Sequence, residues 1–274
     1  MADPSPQSRA VVRGLLDDYG LRPNRAYGQN FLVDPNVIQR IVRLAAVGPD
    51  SNVVEIGGGT GTLTAALAAA GARVVVYEID AGLVRVLHHT VGDLPNVEIR
   101  HADAGAADLD LDLGPGPWSM VSNLPYNIGT GIVLDALRGA PRVDRFVLLV
   151  QREVAERLLA GPGSRAYGLP SVITSLHAHG SMAFSVAPTV FYPAPSVASA
   201  VIELDRHSAP EDAERAIEIA SAAFGQRRKM LRRSLATVIP ESSETLERCG
   251  VDPTARAEDL SPAAFLAIAG EVGR

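Results

Sequence analysis

Asn123-Leu124-Pro125-Tyr126 brings together a side-chain amide, a backbone carbonyl and an aromatic ring. The four follow the apolar run Trp118-Ser119-Met120-Val121, which the pattern predicts as the end of a buried strand. Pro125 can neither continue a ladder nor donate to it, so the chain must leave the sheet there. It also holds Leu124 extended, which keeps the Leu124 carbonyl out of any helix. An amide oxygen and a free-standing carbonyl beside an aromatic face suit a planar base that carries an exocyclic amine. A strand-to-helix turn capped by Asn123 accounts for the same four residues equally well.

Upstream lies a second chemical stretch, Val53-Val54-Glu55-Ile56-Gly57-Gly58-Gly59-Thr60-Gly61-Thr62. Glycines after a first strand allow a tight turn and close approach of the backbone to a ligand. A dinucleotide fingerprint starting at Gly57 would need glycine at position 62, which is Thr62, so a dehydrogenase is disfavoured. The register is instead G-x-G-x-G through Gly57, Gly59 and Gly61, which resembles motif I of S-adenosylmethionine-dependent methyltransferases. Two carboxylates follow at successive predicted strand ends. Glu78 is placed to accept ribose hydroxyl protons, and Asp103 to accept from an adenine amine. Each alone is more often a loop carboxylate or a helix cap. Together they fall on one edge of one sheet, at the carboxyl ends of its strands, where ligands bind in such folds.

The elements that must position these groups alternate. Strands are predicted at 52–56, 73–79, 97–101, 118–122 and 145–150, with helices at 62–70, 81–89, 130–138 and 151–160 between or after them. Near-continuous Val/Ile strands separated by helices indicate a parallel sheet covered on both faces. A short helix is expected over 9–20, and Asp34-Pro35 opens another with an N-cap and a proline at the first helical position. The segment 22–32 is polar and turn-rich, and 104–117 reads as a long loop. After residue 160 come a helix over 171–179, two returning strands at 183–190 and 197–204, and only helical patterns over 211–270. The expected organisation is an N-terminal extension 1–25, an α/β domain 26–207 and a helical domain 208–274.

Hydrophobic residues make up 47% of the 274 and charged residues 20%, which allows a sizeable core. The single cysteine, Cys249, excludes intrachain disulfides and cysteine zinc clusters. Residues 1–8 lack the apolar stretch of a signal peptide and are expected to be disordered. Arg73 interrupts the most hydrophobic region, so no membrane-spanning helix is expected and the cytoplasm is the default location. A net charge of −6 argues mildly against a nucleic-acid partner. Against it stands one dense basic cluster, Arg227, Arg228, Lys229, Arg232 and Arg233, expected to meet phosphate. Helical spacing would place Phe224, Met230, Leu231 and Leu235 in a stripe opposite those cations. Arg22 and Arg25 are weaker candidates.

Several further stretches join these: Gly28-Gln29-Asn30-Phe31-Leu32, Asn123 to Ile128, Val150 to Arg157, Tyr167-Gly168, Phe191-Tyr192-Pro193-Ala194-Pro195-Ser196-Val197 and Ala223 to Lys229. In combination they resemble the KsgA-type small-subunit ribosomal RNA adenine dimethyltransferases, relatives of the erythromycin-resistance methyltransferases, over residues 25–265. The resemblance implies a Rossmann-like α/β methyltransferase sheet with a small all-helical C-terminal domain. It implies S-adenosyl-L-methionine as cofactor, held by Gln29, Asn30, Leu32, Gly57, Gly59, Glu78, Asp103 and Asn123. The implied partner is 16S rRNA in the small subunit or its precursor, methylated at two adjacent adenines by a monomer. Two departures stand out: Gly58 where the family commonly has proline, and Gly131 where a proline usually follows the Asn-Leu-Pro-Tyr motif.

The catalytic expectation is that Asn123 and the Leu124 carbonyl hold the target amine while Tyr126 and Phe191 stack on the two faces of the flipped-out base. The rivals are a large-subunit adenine methyltransferase conferring macrolide resistance and a non-catalytic assembly factor on the same fold.

Overall fold

The computed structural model describes residues 7–24 and 27–273. The first helix, α1 (Arg9–Asp18), starts on Ser8, whose side chain accepts from Val11 N. Ser8 and the buried Gln7 are thus ordered, whereas positions 1–6 of the segment expected to be disordered lie outside the described residues, as does Arg25. A two-residue strand β1 (Phe31–Leu32) precedes α2 (Pro35–Ala45), whose N-cap Asp34 accepts from Asn36 N and Val37 N. Alternation then runs through β2 (Asn52–Ile56), α3 (Thr62–Ala69), β3 (Arg73–Glu78), α4 (Ala81–Val91) and β4 (Val97–His101). It continues with α5 (Leu109–Leu113), β5 (Trp118–Asn123), α6 (Gly129–Gly139), β6 (Val143–Gln151) and α7 (Arg152–Leu159). The rest comprises α8 (Leu169–His177), β7 (Ala178–Val186), β8 (Phe191–Tyr192), β9 (Ser199–Arg206), α9 (Ala213–Gly225), α10 (Leu231–Ser234), α11 (Ser242–Arg248) and α12 (Pro262–Val272).

The main sheet has the order β4-β3-β2-β5-β6-β9-β7. Its first five strands run parallel, and β9 joins β6 antiparallel from Arg145↔Asp205 to Gln151↔Ser199. Buried on both faces, the strands need no alternation: Val74, Val75 and Val76 are all fully buried. After β2 the chain builds outward through β3 and β4, then returns to lay β5 on the other side. That reversal puts a topological switch between β2 and β5, where a crevice opens at the strands' carboxyl ends.

Three local readings change. The loop expected over 104–117 contains α5, an acidic turn of helix capped by Asp108. The strand expected at 183–190 starts earlier, at Ala178, and ends at Val186, ahead of a 3₁₀ turn at Pro188–Val190. Phe31 and Leu32, in a segment that reads as a polar turn, pair antiparallel with Tyr192 and Phe191. Two residues are too few to show a strand period.

By compactness the chain forms two units, Met1–Ala155 with Ser181–Arg206, and Glu156–Gly180 with His207–Arg274. The second therefore takes in segment 156–180, which the sequence pattern assigns to the α/β domain. The reason is apolar: α8 buries Val172, Ile173 and Leu176 and packs with α9 and α12. Tyr167 meets Phe224 edge-on, with ring centroids 5.7 Å apart, and Phe224 meets Phe265 at 6.1 Å. The Tyr167 hydroxyl donates to Leu260 O at 2.8 Å, and burial pushes its pKa up to about 12. Among the described residues no helix is long and apolar enough to cross a membrane.

Candidate active site

The crevice has a local cause. β2 and β5 pair only from Asn52↔Trp118 to Val54↔Met120 although both strands run on. Beyond that point the Ile56 N–H finds the Ser122 hydroxyl, at 2.9 Å, instead of a backbone carbonyl. Ser122 is fully buried and lets the strand ends part without orphaning a donor. A cavity of about 340 Å³ lies there, walled by the β2 turn, the ends of β3 and β4, and the Asn123–Asn127 segment.

Its floor is the glycine turn. Gly57, Gly59 and Gly61 all have positive φ, at 79°, 58° and 84°. A side chain at Gly59 would stand 3.1 Å from the Phe31 ring. Gly58 is required for another reason, since a Cβ there would come within 2.4 Å of Val76 Cγ2. A proline at this position would therefore require the Val76 side chain to shift.

Glu78, at the end of β3, accepts from Gly59 N and from Asp80 N, both at 2.9 Å, one on each carboxylate oxygen. Burial raises its pKa, and those backbone N–H groups work against the rise. Asp103 lines the cavity wall after β4, its Oδ1 accepting from Gly105 N at 2.9 Å.

Glu55 lies beneath, 1% exposed, accepting a 2.6 Å hydrogen bond from the Thr64 hydroxyl. Burial first, and the nearby Glu78 charge as a smaller contribution, hold its pKa at about 8 against an ordinary 4.5. A carboxyl whose folded pKa is raised adds stability in full below pH 4.5 and loses it progressively as pH climbs toward 8. Glu55→Gln, which keeps a neutral acceptor for Thr64, is therefore expected to match the parent in thermal unfolding at pH 4 and to exceed it at pH 9. A lower melting temperature for the variant at pH 9 would contradict a raised Glu55 pKa.

The Asn123 amide is pinned at one end only. Its Nδ2 donates to Asn30 O at 3.0 Å, while the buried Oδ1 has no hydrogen-bond partner among the described residues. Buried acceptors are rarely left so, which singles this oxygen out among the groups lining the cavity. The segment carrying Asn30 presses against the motif: Gly28, at φ 62°, leaves no room for a Cβ, which would meet Tyr126 N at 2.8 Å and Asn127 Oδ1 at 2.9 Å. Asn30 Nδ2 in turn donates to Gly28 O at 3.1 Å. Leu124 N is tied to Leu149 O at 3.0 Å, and Leu32 lines the cavity. Gln29 also lies on the wall, but both ends of its amide are committed to the protein, Nε2 to Asp80 Oδ2 and Oε1 to Asn24 N. That makes it a strut between two turns.

Tyr126 is set by its neighbours. Its hydroxyl shares a 2.5 Å hydrogen bond with the fully buried Ser199, at the start of β9. Phe191 packs edge-on against it, with centroids 6.4 Å apart and planes at 74°. Phe191 is fully buried in the core with Leu32, Val201 and Val186, and does not line the cavity. In place of the two expected stacking faces, the structure presents Tyr126 and sets Phe191 behind it, because β8 is held to β1 by strand pairing. Ser122 and Ser199 carry no signal in the sequence, since a serine inside a strand resembles any other.

In the helical unit the basic cluster is broken up. α9 ends at Gly225 and a turn runs over 226–230 before α10, so the stripe expected from continuous helical spacing does not form. Met230 is exposed, while Leu231 and Leu235 are buried. Arg227 is engaged within the unit, its Nε on Glu258 at 2.8 Å and its Nη2 on Arg165 O at 3.1 Å. Arg228, Lys229, Arg232 and Arg233 are exposed.

Comparison with known proteins agrees with this geometry. The family model for ribosomal RNA adenine dimethylase matches residues 20–273. Proteins named ribosomal RNA small subunit methyltransferase A are similar throughout. The one from Kineococcus radiotolerans is 43% identical across 94% of this chain and 89% of its own, and that from Streptomyces griseus 42% across 95% and 93%. The crystal structure of the 23S rRNA methyltransferase ErmE superposes with a TM-score of 0.68 and 28% identity, covering 89% of this chain and all of the other. A dimethyladenosine transferase from Plasmodium falciparum shares the fold at a TM-score of 0.72, with 22% identity over 87% of this chain and 95% of the other. With an amide acceptor beside a glycine turn at the switch of a mostly parallel sheet, and a family model matching nearly end to end, this chain belongs to the ribosomal RNA adenine dimethylase family.

Proposed function

We propose that this protein transfers two methyl groups from S-adenosyl-L-methionine to each of two adjacent adenines in the 3′-terminal hairpin of 16S rRNA, during small-subunit assembly. The observation that carries the reading is Asn123 Oδ1, a buried acceptor without a partner among the described residues, whose orientation is fixed by Asn30 O. An adenine amine is a weak nucleophile because its lone pair is delocalised into the ring. Accepting its two protons at Asn123 Oδ1 and the Leu124 carbonyl favours the pyramidal amine, with the lone pair localised and aimed. Tyr126, held by Ser199 and backed by Phe191, supplies the stacking face; base–aromatic stacking contributes about 1–3 kcal/mol per base. Positioning of this kind can supply about 7–11 kcal/mol of the barrier.

The cavity suits the cofactor. Each Glu78 oxygen holds one backbone N–H and keeps acceptor capacity for a ribose hydroxyl. Asp103 would receive the cofactor's adenine amine, and Gly57 and Gly59 let the turn approach closely, with Asn30 and Leu32 on the remaining wall. When bound, S-adenosylmethionine supplies an electrophilic methyl on a sulfonium.

The exposed cations Arg228, Lys229, Arg232 and Arg233 are the RNA contacts this reading assigns to the helical unit. Substituting them with alanine one at a time is expected to weaken binding of an rRNA hairpin and to lower the salt slope by about 0.7–0.9 for each phosphate no longer neutralised. Arg227→Ala should leave that slope nearly unchanged, since its guanidinium serves Glu258. An unchanged slope across the four would remove the turn from the RNA interface.

The deciding assay is methyl transfer to isolated ribosomal subunits from a strain lacking the modification, read by mass spectrometry of the RNA. Dimethyladenine pairs in small-subunit RNA are expected. Modification of large-subunit RNA instead would favour an activity like that named for ErmE, and binding without transfer would favour an assembly role.

A further inference from the structure

The glycine turn is braced from behind by a residue outside every motif. Gln7 is 8% exposed although it precedes the first helix of the chain. Its Nε2 donates to Thr60 O at 2.8 Å, and its Oε1 accepts from Thr62 Oγ1 at 2.9 Å. Thr60 O also receives the Thr90 hydroxyl at 3.1 Å, so two side chains converge on one loop carbonyl. The turn needs such support, because α3 begins on Gly61, which offers no side-chain cap, and three of its glycines have positive φ. Glycines give up the most conformational freedom when a loop is ordered. Gln7 does not line the cavity, whereas Thr60 and Thr62 do.

Its own position is secured by α1. Val12 and Leu16 bury against Phe31 and Leu83, and the Phe31 ring in turn approaches Gly59. Arg9 Nη2 donates to Thr189 O and Phe191 O, both at 2.9 Å, which ties the same helix to the strand behind Tyr126. One short N-terminal segment thus contacts both the glycine turn and the strand behind Tyr126.

We infer that Gln7 is a positioning residue for the cofactor loop: its amide holds the Thr60–Thr62 backbone in the binding conformation before any ligand arrives. Removing it leaves Gly57–Gly61 to be ordered at the expense of binding, which shows as weaker affinity and not as a slower chemical step. The affinity half of this inference rests on the assignment of the cavity to S-adenosylmethionine; the loop-ordering half does not.

The test compares the full-length protein with Gln7→Ala and Ser8→Ala. Ser8→Ala removes the N-cap of α1 without touching the turn, and so reports any effect of a weakened helix. Titration with S-adenosylmethionine is expected to show a dissociation constant about tenfold higher for Gln7→Ala, the scale of losing two neutral hydrogen bonds, and an unchanged one for Ser8→Ala. The single-turnover methylation rate at saturating cofactor should stay at the parent value. Hydrogen exchange without cofactor should be faster at Gly59–Leu63 in Gln7→Ala alone. Equal affinity and equal exchange in Gln7→Ala and the parent overturn the inference. So does an equal loss in both variants, which assigns the effect to helix stability. If the parent itself does not bind S-adenosylmethionine, the cofactor assignment fails, and the exchange experiment still decides whether Gln7 orders the turn.

Discussion

Asn123→Ala is expected to lower methyl transfer by about 10²–10³-fold, the scale seen when one pre-oriented hydrogen-bonding group is removed from a reacting centre. The substitution deletes the buried oxygen that has no partner among the described residues and also frees Asn30 O from its 3.0 Å hydrogen bond. Affinity for S-adenosylmethionine should fall far less than the rate, because the glycine turn, Glu78 and Asp103 are untouched and only the Asn123 and Asn30 side of the wall is altered. Binding of the rRNA hairpin should likewise persist, since the exposed cations lie in the other unit. Single-turnover kinetics at saturating cofactor separates these quantities. Turnover within about threefold of the parent would remove Asn123 from the mechanism.

The second large effect is expected at a glycine that braces the motif from outside. Gly28→Ala places a Cβ 2.8 Å from Tyr126 N and 2.9 Å from Asn127 Oδ1, at a φ of 62°. The left-handed conformation costs an L-residue about 1–2 kcal/mol, and forcing an extra carbon into a packed site about 1–3 kcal/mol. The clash is with backbone, so it resolves by displacing the Asn123–Tyr126 turn or the Gly28–Leu32 segment. Displacement of a catalytic group by about 1 Å can cost about 10²-fold in rate. Both a lower melting temperature and a loss of activity of that order are expected. Gly131→Ala is the contrast: nothing lies within 4 Å of a Cβ there, so activity should be retained. The open space around Gly131 also accommodates glycine in place of the family's usual proline without a packing defect. Equal behaviour of the two variants would mean that the Gly28 contact does not hold the site.

What could be read from the residues alone follows the range over which each signal acts. Runs such as Val74-Val75-Val76 and the turn Gly57–Gly61 are local statements, and they locate the parallel strands and the ligand end of the sheet. Glu78, Asp103 and Asn123 can be assembled because the rule that ligands sit at strand carboxyl ends converts sequence position into space. The contacts that finish the site have no local signature. Ser122 satisfies Ile56 across 66 residues, Ser199 meets Tyr126 across 73, and Gln7 reaches Thr62 across 55. Phe191 shows the same limit from the other side. Its type and its place in a proline-rich corner suit a stacking face, but pairing of β8 with β1 turns it into the core behind Tyr126. The helical stripe expected after Gly225 does not form for a related reason, because a turn interrupts the helical spacing, and Arg227 is drawn off by Glu258. Residue types and their order set the chemistry on offer and the edge of the sheet where it gathers. Which of those groups remain free to act is a property of the folded chain, because freedom depends on what distant segments have already bonded.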